Sequence, residues 1–287
     1  MKRLIINADD LGADEARNAG IFEAMRAGIV TSASILPNGP GLQDALNRIG
    51  SESFKNISWG VHLNLSEGKP VSTGNSLLLG SDGLFKGKSS TQGLLMRQED
   101  RDLETEVVRE VEAQISLLKA SGIPLHHLDG HQHVHVLPAV LKAMLGSAQR
   151  HHIPWIRVPD EPEATSSDFI FPCSLCEESR FFSGLAQRAR PVILGAGFHA
   201  TDQFRGLYLK GRLSIRGLDS VFRRLPDGLT ELMVHPGRIA GNLSTTPFSN
   251  FSTVEREAEL ETLLNGRWSL ILEEMKIILT PFPEAPY

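Results

Sequence analysis

A chain of 287 residues, 41% apolar and 22% charged, carries enough hydrophobic material for a packed core and is not composed like a disordered protein. Its formal net charge of −5, with no long basic run, excludes a general nucleic-acid-binding role. No stretch approaches the roughly 20 apolar residues of a membrane span, and the apolar run Leu4–Ile6 is too short for a signal peptide, so a soluble cytoplasmic protein is expected.

In chain order, Arg3–Ala8 reads as a buried strand and Glu15–Ala27 as a helix ending at Gly28. Ile29–Leu36 is a second strand, stopped by Pro37-Asn38-Gly39-Pro40. A short helix over Leu42–Ile49 and a strand over Ile57–Leu65 follow. Residues 66–98 are rich in Gly, Ser and Lys, too long for an ordinary connection, and are expected to form a functional loop or lid. Asp102–Ala120 is the clearest amphipathic helix, with Val107, Val108, Val111, Ile115 and Leu118 at helical spacing. Then come a strand over Leu125–Asp129, a helix over Leu137–Gln149, a strand over Trp155–Val158 and a helix over Leu175–Ala189. Leu229–His235 reads as a strand, Thr253–Leu264 as a charged helix and Lys276–Thr280 as a last strand. Cys173 and Cys176, the only cysteines, read as reduced thiols: no second CxxC pair completes a zinc ribbon.

Repeated βα units along the whole length predict a single α/β domain over 1–287, a distorted or incomplete (β/α) TIM-like barrel. In such barrels active sites form at the C-terminal ends of the strands. Asp9-Asp10, His62, His131, Arg157 and His235 all fall at or near predicted strand ends.

The densest signal is LHHLDGHQHVHVLP at 125–138, which holds five of the ten histidines around Asp129. Imidazole is the commonest ligand for divalent transition metals, and a nearby carboxylate orients it. In a strand through Leu125–Asp129, His127 and Asp129 share one face and His126 the other. Gly130 breaks the strand and sets His131 at its mouth, the best ligand position. His133 and His135 either line the cleft or support a ligand; for His126 and His135 a structural role is favoured. Asp9 and Asp10 fit two readings: a metal-binding carboxylate beside a proton-accepting one, or caps for the helix that starts near Glu15. His62 is either a ligand or a satisfied core histidine, and His235 either a general acid or the closure of a turn. Arg157 could bind an oxyanion, orient a carboxylate or form a structural ion pair.

Taken together, INADDLG (6–12), GIVTSASILPNG (28–39), WGVHLNLSEGKP (59–70), HLDGHQHVHVLP (127–138), IRVPDEP (156–162), ATDQFRGLY (200–208) and LTELMVHPG (229–237) resemble the YdjC-like carbohydrate deacetylases. That resemblance implies a barrel hydrolase of the glycoside hydrolase/deacetylase type. Its substrate would be an N-acetylated mono- or oligosaccharide or a glycolipid. It implies a metal triad of Asp10, His62 and His131, with Asp9 as general base and His235 as general acid. One divalent ion, magnesium or zinc, would be the cofactor, and family members are often dimers. Arg157, Asp129, His133 and Asp202 are expected near the substrate or behind the ligands. Leu11 stands where the family has phenylalanine.

Two other readings fit less. An amidohydrolase-like barrel would use an H-x-H pair such as His131 and His133, but usually on the first strand, where this chain carries ADD. A non-catalytic metal- or sugar-binding protein would need no paired acid and base.

Overall fold

The computed structural model describes residues 1–51, 54, 56–97, 100–162, 173–240, 248 and 252–284. Its strands are β1 (Lys2–Leu11), β2 (Ser32–Ile35), β3 (Ser58–Leu63), β4 (Leu125–Gly130), β5 (Trp155–Ile156), β6 (Gln203–Arg205), β7 (Gly228–Val234) and β8 (Ile277–Leu279). The helices are α1 (Glu15–Arg26), α2 (Leu42–Ser51), α3 (Lys88–Leu95), α4 (Arg101–Ala120), α5 (Pro138–Arg150), α6 (Cys173–Gly195), α7 (Ile215–Arg224), α8 (Val254–Leu263) and α9 (Trp268–Glu274). Every named strand pair is parallel, in the order β5-β4-β3-β2-β1-β7-β6. The lower half of β1 also pairs with β8, through Lys2–Leu4.

The sheet curls until its two edges meet. Ile156 N–H donates to His199 O at 2.9 Å and His199 N–H to Pro154 O at 2.9 Å, a one-residue parallel bridge between β5 and the segment entering β6. The result is a distorted (β/α) barrel with its seam at β5 and β6. Because all strands run one way, their C-terminal ends share one rim.

The C-terminal tail fills the opposite end. Phe282 packs with Ile5 and Leu229, stacks on His127 with centroids 4.2 Å apart, and donates its N–H to Ser58 Oγ. Gly60 makes room here: a Cβ on it would sit 2.2 Å from His127 Nε2.

Local signals explain the helix starts. Asp14 accepts from Arg17 N at 2.7 Å and caps α1, Asp100 caps α4 through Leu103 N, and Pro138 opens α5. Capping by Asp14 leaves Asp9 and Asp10 free of that duty.

The described part of the expected lid, residues 66–97, is pinned down along its course. Glu110 accepts the N–H groups of Val71 and Ser72, and Glu106 those of Ser76, Leu77 and Leu78, while Thr91 and Leu95 of α3 are buried. Cys176 is a free thiol; the side chain of Cys173 and residues 163–172 lie outside the described residues. Among the described residues, no helix is long and apolar enough to cross a membrane.

Candidate active site

The sequence gives β1 two adjacent aspartates, which on a regular strand would face opposite ways. A bulge resolves this. Between Ala8↔Ala33 and Leu11↔Ile35 the register of β1 on β2 shifts by one residue, and Asp10 takes φ 68°. A non-glycine residue in this left-handed region costs roughly 1–3 kcal/mol, which marks a conformation enforced by its surroundings. Asp9 and Asp10, both buried, thereby line one cavity of about 200 Å³ at the C-terminal rim.

His62 from the end of β3, His131 from just beyond β4 and His235 from just beyond β7 line the same cavity. Asp10 Oδ1 lies 3.0 Å from His131 Nδ1 and 3.3 Å from His62 Nε2. The donor atoms of Asp10, His62 and His131 all fall within 4.8 Å of one another. On its far side His62 Nδ1 meets Asp129 Oδ1 at 2.7 Å. One carboxylate and two imidazoles, buried and converging, form a donor set that fits a divalent transition ion, and Asp129 fixes the His62 tautomer.

Electrostatics separates these groups from their neighbours. Burial alone would lower His62, but Asp129, Asp9 and Asp10 outweigh it and raise its pKa to about 10. His131 is likewise raised against burial, by Asp10 and Glu67. Burial would raise Asp10, yet His131, His62 and Arg17 hold it well below the carboxylate range. Burial lowers His127 and His135 to about 3 and puts His133 well below its ordinary value. The five-histidine stretch is therefore split by what each ring faces. His126 Nδ1 accepts from Trp59 N, His127 meets Ser34 Oγ at 2.9 Å, and His135 Nε2 lies 3.1 Å from Arg157 O. His133 lines the cavity but packs against Phe182 and Phe204 rather than joining the triad, so His131 and His133 do not form a chelating H-x-H pair.

Arg157 is fully buried and faces three carboxylates. Its NH1 and NH2 each donate to Asp9 at 2.7 Å, NH2 lies 2.6 Å from Asp129 Oδ2, and Nε donates to Glu231 at 2.7 Å. Asn7 adds a third hydrogen bond to Asp9. His235 is set through its main chain: its N–H donates to Glu259 and its carbonyl accepts from Arg17. Arg17 can approach because Gly20 packs directly on Gly237, where a Cβ would lie 2.5 Å from backbone. Burial, reinforced by Arg256, holds the His235 imidazole well below its ordinary pKa.

Asp202 is not brought to this site. It is exposed, and its carboxylate accepts from Leu229 N near the start of β7, at the opposite end of the barrel. Conversely, Glu67, Gln132, Lys210 and Arg256 line the cavity without having been singled out. Glu67 was visible as the acid inside WGVHLNLSEGKP; Lys210 and Arg256 sit in segments with no comparable sign.

Comparison with known proteins gives the chain its relatives. Residues 3–274 match the sequence family described as YdjC-like protein. A carbohydrate deacetylase of Mus musculus is 36% identical over 284 residues, covering 91% of this chain and 87% of that protein. One from Brevibacillus brevis is 35% identical over 286 residues, covering 98% of this chain and 99% of its own. Among solved structures, a "putative cellobiose-phosphate cleavage protein" from Enterococcus faecalis V583 aligns with TM-score 0.71 at 25% identity, covering 98% of this chain and 97% of that one.

Proposed function

The chain belongs to the YdjC-like family, and from that membership and the buried Asp10-His62-His131 cluster we propose that it is a metal-dependent carbohydrate deacetylase. The substrate would be an N-acetylated mono- or oligosaccharide or the sugar of a glycolipid, and the products acetate and a free amino sugar. The observation that carries the reading is the shared cavity: three convergent ligands, a carboxylate the triad does not need (Asp9) and a separate imidazole (His235).

A divalent ion held by Asp10, His62 and His131 would polarise the acetyl carbonyl and make water more acidic. Two imidazoles favour zinc or another borderline ion over magnesium. Asp9 accepts a proton from the attacking water, its carboxylate aimed by the Arg157 fork and Asn7. His235 donates a proton to the departing amine. Asp10 favours the protonated form of its imidazole, while burial and Arg256 oppose it. A single catalytic domain, a cytoplasmic location and a homodimer are carried over from the sequence reading.

Stripped protein reloaded with zinc, magnesium or cobalt and offered N-acetylglucosamine oligomers tests the proposal. Acetate should appear with wild type and vanish with Asp10→Ala. Ion binding without acetate from a broad panel of acetylated sugars would leave a binding protein instead.

A further inference from the structure

Glu67 lies five residues beyond His62, in the loop that leaves β3. Its backbone is clamped from several sides. Asn64 Oδ1 accepts the N–H groups of Ser66 and Glu67, while Asn64 Nδ2 and Asn38 Nδ2 both donate to Glu67 O, at 2.8 and 2.9 Å. Gln114 of α4 fixes Asn64 in turn, accepting from its N–H and donating to its carbonyl.

The side chain is equally defined. Glu67 Oε1 accepts from Gln132 Nε2 at 2.9 Å, and Gln132 holds a left-handed φ of 51° directly after His131. Glu67 Oε2 faces His131 Nε2, 3.4 Å away. The two imidazoles of the triad then follow one plan with opposite tautomers. His62 turns Nε2 to Asp10 and Nδ1 to Asp129; His131 turns Nδ1 to Asp10 and Nε2 to Glu67. A neutral imidazole carries one N–H. A carboxylate behind the outer nitrogen holds that hydrogen there and leaves the inner nitrogen its lone pair.

We propose that Glu67 is the positioning residue of His131, the counterpart of Asp129 behind His62, fixing the ring so that Nδ1 faces the ion. This rests on the reading of Asp10, His62 and His131 as metal ligands.

Zinc affinity, measured by competition with a chromophoric chelator on the full chain, tests it. Wild type, Asp10→Ala, Glu67→Ala, Glu67→Gln and Gln132→Ala would be compared, each first checked for a cooperative thermal transition. Because main-chain and asparagine contacts hold the loop, truncating the Glu67 side chain should leave the fold intact. Glu67→Ala should weaken zinc roughly 10- to 100-fold. Glu67→Gln, which keeps an acceptor oxygen, should recover part of that loss, and Gln132→Ala should weaken zinc by less. At saturating zinc, kcat of Glu67→Ala should return toward wild type with KM for the sugar unchanged. Zinc binding by Glu67→Ala as tight as wild type, with a raised KM, would overturn the proposal and give Glu67 to the sugar, provided Asp10→Ala has lost zinc. If Asp10→Ala binds zinc like wild type, the ligand assignment falls and this inference with it.

Discussion

Arg157 grips Asp9 with both ends of its guanidinium, NH1 on Oδ2 and NH2 on Oδ1, each at 2.7 Å, in a fully buried setting. The same guanidinium serves Asp129 and Glu231, so one cation stands among three buried carboxylates. Such a group cannot be removed alone, because uncompensated buried charge costs several kcal/mol. Lysine would keep the charge but not the planar fork that sets the Asp9 rotamer. Arg157→Lys should therefore lower stability by on the order of 3 kcal/mol and reduce kcat at least tenfold. Zinc affinity should fall less, because the triad itself does not touch Arg157. Urea unfolding and acetate-release kinetics check this; an unchanged kcat would remove Arg157 from the positioning of Asp9.

Asp129 makes a second, separable prediction. Its Oδ1 backs His62 at 2.7 Å while its Oδ2 takes hydrogen bonds from Ser34 and Arg157. Asp129→Asn can keep the hydrogen-bonded shape but no longer favours an N–H on His62 Nδ1. Metal affinity should fall roughly 10- to 100-fold, read by the same chelator competition. Affinity within twofold of wild type would show that the His62 tautomer is fixed by other groups.

Much of this framework was legible in the sequence, for a physical reason. Parallel strands buried on both faces appear as apolar runs, so β1 and β7 fall close to where those runs put them, and β3 and β4 also lie close to their expected ranges. β6 was missed because three residues carry no periodicity; pairing with β7, from Gln203↔Thr230 to Arg205↔Leu232, makes it a strand. α7 and α9 were missed too, and α3 was hidden in a Gly- and Ser-rich stretch. Strand-end logic located Asp9, Asp10, His62, His131 and His235, which share one cavity. Asp202 was expected near the substrate from the resemblance alone, and its carboxylate instead accepts from Leu229 N. Buried supporting charges were the hardest to foresee. Arg17 looks like a solvated helix residue, and Glu231 inside LTELMV went unremarked although it is an acid in an apolar strand.

That buried acid predicts a pH dependence. Burial, with Asp129 and Asp9 nearby and Arg157 opposing, raises Glu231 from 4.5 to about 7 in the folded protein. Between those values the native state keeps a proton that the unfolded chain has lost, so this residue's contribution to stability falls as pH rises, then levels off above pH 7. Glu231→Gln can still accept from Arg157 Nε and removes the titration. Relative to wild type, the variant should gain about 3 kcal/mol between pH 4.5 and pH 8. Urea unfolding in chelator at those two pH values measures the difference, and titrations common to both proteins cancel. A difference that does not change with pH would place the proton elsewhere.

His235 offers the sharpest test of the chemistry, because its main chain makes the short contacts to the fold while its ring Nδ1 lies 4.0 Å from Glu259. The contacts to Glu259 and Arg17 use its main-chain N–H and carbonyl, so His235→Gln keeps both. The variant should fold and should bind zinc like wild type, since the ring is outside the Asp10-His62-His131 set. Loss of a general acid should lower kcat about 10²- to 10⁴-fold. The pH profile separates this role from simple cavity shaping. An acid must start protonated, and burial beside Arg256 holds this imidazole below 6.5. For wild type, kcat/KM should therefore decline as pH rises through a value below 6.5, and the variant should lack that limb. If the limb survives in His235→Gln, another group delivers the proton, and His235 only shapes the cavity.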